Sequence, residues 1–177
     1  MTIARIAAAV TGLASLALGA VTLAGPAVPE EHWGTRGSVV NALGLVVFAA
    51  LALALELLPR LLGASRLGQA GRRIAQVGLA LMVVESAASQ VHGGSTLDAV
   101  FTVGLLGALV GLLLIAIEGV RQRSWPAVVP FVAMLVGVGA GDHGGFLVLG
   151  LAWAALALGT GSAVSAAART STPRARW

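Results

Sequence analysis

Glu85, Ser89 and His92 stand four and then three residues apart, the spacing that puts three side chains on one face of an α-helix. Glu85 lies within a long apolar stretch, about 10 Å of helical rise from His92, too deep for a carboxylate that only reaches for water at a helix end. Burying such a group costs several kcal/mol unless a partner or a water-filled cavity receives it, so an acid at this depth is a functional candidate by default. With His92, suited to exchanging protons near neutral pH, and Asp98, the next acid along the chain, it forms a set fit for acid–base catalysis. Asn41, Ser89, Asp142 and His143 fall at the same depth and are the candidate binding groups; Thr96 and Thr102 share that level. The competing reading makes the Glu85 stripe a hydrogen-bond network that ties helices together.

Other chemistries find less support. His32, His92 and His143, helped by Asp98 or Asp142, are the residues that would bind zinc or copper, but no HxxxH or HExxH pair fixes two ligands on one helix face. Paired haem ligands would face each other at depth, whereas these histidines lie near helix ends. Ser86 and Ser89 lie close to Glu85 without a nucleophile elbow. No cysteine is present, which excludes disulfides, thiol catalysis and cysteine-held clusters. Gly139, Gly141 and Gly144 match the spacing of a dinucleotide loop, yet no strand precedes them. The reading is of no bound cofactor.

The elements that must position these residues are read from composition. Of the 177 residues, 58% are hydrophobic and 10% charged, a balance suited to lipid and not to a solvated surface. Runs without two-residue alternation argue for helices over a barrel. Spans are expected near 6–23, 39–58, 74–91, 99–120, 127–141 and 146–163, punctuated by Pro26, Pro29, Pro59 with Gly63, and Trp125-Pro126. The fold class is therefore all-α: a polytopic membrane bundle of six transmembrane helices arranged as three hairpins, with residues 1–168 as one domain and 169–177 as a basic tail. The fifth span is short and glycine-rich from Gly137 to His143, which reads as interrupted helix bordering the same vestibule as Glu85. Gly104, Gly107 and Gly111 predict a close helix approach.

Alternating the breaks places Arg5, Arg60, Arg66, Arg72, Arg73, Arg121, Arg123, Arg169, Arg174 and Arg176 on one side and only Arg36 on the other. The positive-inside rule then locates both termini in the cytoplasm of a cell-membrane protein. Glu56 and Glu118 are expected to pair with Arg60 and Arg121. Met1–Gly25 also has the plan of a signal peptide, whose cleavage would leave five helices; its length and Pro26 favour retention. A pI near 11.6 does not imply nucleic acid, because the basic residues are scattered over short loops; the tail is expected to meet anionic headgroups. The triplets His32-Trp33-Gly34, His92-Gly93-Gly94 and His143-Gly144-Gly145 echo one another, either as helix-end chemistry or as a degenerate threefold repeat.

Three functions fit these features. The leading one is an outer-leaflet site that binds, and transforms by acid–base chemistry, a small or lipophilic molecule. A proton- or cation-coupled transporter or channel subunit is the second. The third is an assembly subunit whose Glu30, Glu31 and Trp33 contact a membrane-protein partner; a homo-oligomer is compatible with each.

Overall fold

The computed structural model describes residues 2–24, 34–58, 62 and 65–170, with the backbone alone for Thr2, Asp142 and 160–170. Among the described residues there is no strand. The helices are α1 (Thr2–Leu23), α2 (Thr35–Ala54, continued by a 3-10 turn at Leu55–Leu57), α3 (Arg66–His92), α4 (Asp98–Arg121), α5 (Val129–Gly139) and α6 (Gly145–Thr170). Four of them, α1, α2 with its turn, α3 and α4, are long and apolar enough to cross a membrane. Pro26, Pro29, Pro59, Gly63 and the chain from Ser171 onward lie outside the described residues, as do Glu30, Glu31, His32 and Trp33.

Helix α3 begins eight residues before the expected span because Ser65 caps it, its Oγ accepting a hydrogen bond from the Gly68 N–H at 3.0 Å. Its first turns carry Arg66, Arg72 and Arg73 and extend it beyond the apolar run. Helix α5 differs from expectation in the other direction. Gly137 and Gly139 are still α-helical, and the break comes later, as a 3-10 turn at Gly141–His143 closed by Gly144 at φ +80°. Glycine alone enters that left-handed region without penalty.

Each helix packs chiefly on its neighbours in the chain, and α1 packs extensively on α6, so the six form a ring in sequence order. Cross-contacts fix the directions as antiparallel. Asn41 meets Ser86 while Glu56 meets Arg72; Gly12 approaches Gly150 while Gly19 approaches Leu147; Gly104 approaches Gly78 while Gly111 approaches Gly71. One end of the ring therefore carries Arg36, Asn41, Ser95 and Asp98. The other carries Glu56, Arg72, Arg73, Glu118 and Arg121.

Two seams on opposite sides of the ring bring backbones together. A Cβ on Gly71 would stand 2.7 Å from the Gly111 carbonyl oxygen, and one on Gly104 2.7 Å from that of Gly78. Across the ring, a Cβ on Gly12 would stand 3.1 Å from the Gly150 carbonyl oxygen. Small residues give this contact in lipid, where dispersion and not water exclusion drives association. The outward faces stay apolar, with Val77, Val103, Leu106, Leu151 and Leu158 all more than half exposed. A continuous exposed apolar girdle is what lipid would cover.

At the arginine-rich end, Glu118 pairs with Arg121 at 3.7 Å as its spacing implies. Glu56 pairs with Arg72 of the next helix and accepts from Gln76; Arg60 lies outside the described residues. At the opposite end Arg36, the odd arginine of the sequence, donates from Nη2 to the Val21 carbonyl at 2.9 Å. It thus supplies a cation to the C-terminal end of α1, where orphan carbonyls and the helix dipole favour one. Arg36→Ala is expected to cost about 1–2 kcal/mol, read as a lower Tm in detergent, with Arg36→Lys recovering part of the loss.

Candidate functional site

Within the ring, at the end opposite the arginine-rich one, lies a cavity of about 260 Å³. Leu18 of α1 and Phe146 of α6 contribute apolar wall. From α2 come Val40, Asn41, Gly44 and Phe48, a stripe at helical spacing; from α3 come Glu85 and Ser86; Ser95, Asp98 and Phe101 complete the lining. Phe48 and Phe101 meet edge to face, with ring centroids 5.9 Å apart. Exposed Ser95 and Asp98 mark the mouth, and buried Glu85 the depth.

Glu85 is only 5% exposed. Its Oε1 accepts a hydrogen bond from Ser89 Oγ at 2.5 Å, a contact within its own helix. Among the described residues no basic side chain pairs with it. The tie between helices in this layer belongs instead to Asn41, whose Nδ2 donates to the Ser86 carbonyl at 2.8 Å and to Gln90 Oε1 at 2.9 Å. Ser95 donates to Asp98 across the first turn of α4.

The structure brings Asn41, Glu85 and Asp98 to one cavity from three helices, and places Ser89 behind Glu85. His92 stands elsewhere. It keeps the azimuth of Glu85 but lies at the very end of α3, where it is exposed and its Nδ1 approaches the Ala88 carbonyl at 2.8 Å. Gly93, at φ +72°, turns the chain back over the stripe, so that Thr96 and not His92 reaches Ser89, with its Oγ1 and its N–H both 3.3 Å from Ser89 Oγ. Thr102 is exposed on α4. His143 is exposed on the 3-10 turn after α5, and the side chain of Asp142 lies outside the described residues. The glycine break reaches the cavity indirectly, through Phe146 just beyond it.

Among the described residues no three His, Asp or Glu side chains are grouped to hold a metal ion; His32 and Asp142, part of the expected ligand set, lie outside that description. The aromatic wall was not singled out from the sequence, since phenylalanine in an apolar span looks like any core residue. A usable signal exists in Asn41, Gly44 and Phe48, one polar, one small and one aromatic residue on a single face. Compared with protein families, curated proteins and solved structures, the chain finds no match.

Proposed function

We propose that the protein crosses the membrane six times and holds a small lipophilic molecule in this cavity, with Glu85 as its polar anchor. The observation that carries the proposal is a buried carboxylate that has no basic partner among the described residues, on the wall of a largely apolar cavity. Such a group gains most from a ligand that donates to it. Because His92 is exposed at the end of α3, bonded to the Ala88 carbonyl and not part of the cavity lining, a Glu85–His92 proton relay forms no part of the proposal. Leu51, Leu55, Leu79, Met82, Leu112 and Ile115 fill the bundle toward the arginine-rich end, which favours a closed binding site over a transport path.

Helix α5 is about 16 Å long, short of a hydrocarbon core near 30 Å. The six-crossing reading is supported by contacts toward both of its ends, Gly119 of α4 against Ala127 in the 3-10 turn (Trp125–Ala127) that precedes α5, and Gly137 of α5 against Leu149 of α6. The positive-inside rule puts the arginine-rich end, and both termini, in the cytoplasm and opens the cavity to the outer leaflet. The chain has no cysteine, so single replacements report cleanly. In intact cells a membrane-impermeant maleimide should label His92→Cys, and should label Gln122→Cys only after permeabilisation. The reverse pattern overturns the orientation.

Occlusion tests the site itself. A Cβ on Gly44 would meet only Phe48, at 3.7 Å, so a larger side chain can grow into the cavity without striking backbone. Gly44→Leu should keep the Tm within a few degrees and weaken saturable binding of 4-fluorobenzyl alcohol, followed by fluorine NMR, at least tenfold. Equal binding by both proteins would show only detergent partition and reject the cavity as a site.

A further inference from the structure

The polar inventory of the cavity is one-sided. Two carboxylates, Glu85 and Asp98, line it, and among the described residues no arginine or histidine does. Most donors near them are engaged within the protein: the Asn41 amide nitrogen donates to the Ser86 carbonyl and to Gln90, the Ser95 hydroxyl serves Asp98, and that of Ser89 serves Glu85, while the Ser86 hydroxyl stays on the wall. Apart from the Ser86 hydroxyl, what the wall offers a ligand is acceptor oxygen and negative charge. Around it stand Phe48, Phe101 and Phe146, three of the four phenylalanines in the chain. An aromatic ring presents a negative face, and a cation placed over it gains further when water is excluded. The volume, about 260 Å³, falls just under the range of drug-sized pockets and sets the ligand as a small one.

We infer that the cavity takes a small lipophilic cation, an ammonium group carried on an apolar or aromatic body, with the charged nitrogen at Glu85 and the body against the phenylalanines. The inference rests on the cavity being a binding site and adds the charge of its occupant. A choline or ethanolamine lipid headgroup offers the same ammonium, but it brings a phosphate that no lining cation neutralises and two carboxylates repel. A phosphate-free ammonium is therefore the occupant proposed.

The test compares benzyltrimethylammonium with its uncharged carbon isostere, 2,2-dimethylpropylbenzene, by equilibrium binding to the full-length protein in a nonionic detergent. The expected result is at least tenfold tighter binding of the cation. Glu85→Gln should weaken the cation tenfold or more and the isostere less than twofold, while Gly44→Leu weakens both. Equal affinity for the two probes, still lost in Gly44→Leu, would overturn the cation assignment and leave the binding site standing. No difference between wild type and Gly44→Leu for either probe would overturn both. Displacement of benzyltrimethylammonium by dihexanoylphosphatidylcholine at comparable concentration would reassign the ammonium to a lipid headgroup and reject the phosphate-free occupant.

Discussion

Gly78→Val is expected to destabilise the bundle strongly by forcing α3 and α4 apart. A Cβ at Gly78 would press on the backbone nitrogen of Ala108 and the backbone oxygen of Gly104, and would stand 2.8 Å from the Gly107 carbonyl carbon. None of these is the flexible end of a side chain, so the only relief is to move one helix away from the other. Overpacking of this kind costs about 3 kcal/mol, and separation also forfeits the dispersion contacts along the most extensive helix pair of the ring. For a chain of this size the fall in Tm should be roughly 6–12 °C. Gly139→Ala is the matched control. No atom stands within 4 Å of its Cβ position, and its stability should stay within about 0.5 kcal/mol of wild type. Thermal denaturation in one detergent checks both; similar Tm values for the two variants would mean that the seam opens freely.

The same seam shows what the sequence could and could not reveal. Gly104, Gly107 and Gly111 announce a close approach by their spacing, but of their partners only Gly78 falls in the expected span near 74–91, and Gly71 lies in polar first turns that an apolar-run reading leaves out. The depth of Glu85 is visible because a charge within an apolar run is conspicuous at any rotation of the helix. Its neighbours are another matter. That Asn41 and Asp98 meet Glu85 depends on the rotational setting of α2 and α4, and a single sequence constrains depth far better than rotation. His92 illustrates the limit from the other side. Its spacing places it on the Glu85 face, and the reversal at Gly93 then lays Thr96 over Ser89 and leaves the imidazole outside. Arg36 is an exception in a count of charges and becomes intelligible once its guanidinium is seen on the Val21 carbonyl. The apolar girdle and the all-helical character follow from composition and run length, since both depend on sums over many residues.

Glu85→Leu is expected to raise stability while weakening ligand binding, whereas Asn41→Leu should lower stability. The carboxylate is buried, has no basic partner among the described residues, and is bonded only by Ser89 from the next turn of its own helix. Removing it breaks no tie between helices. Ser89 Oγ keeps the Thr96 N–H and hydroxyl within 3.3 Å, so no buried hydroxyl is stranded. Leucine nearly conserves volume and replaces an under-compensated polar group, which should stabilise the bundle by about 1–2 kcal/mol. Binding of an ammonium probe should fall roughly ten- to hundredfold, the worth of one charge-assisted contact. Asn41→Leu removes the donor that joins α2 to α3 at Ser86 and Gln90, and should lower stability by about 1–2 kcal/mol. The decisive measurement is Tm and probe affinity for both variants in the same detergent. If Glu85→Leu loses stability as Asn41→Leu does, Glu85 is a structural tie; if it gains stability and loses the ligand, burial of this carboxylate is a cost that the bundle bears for binding.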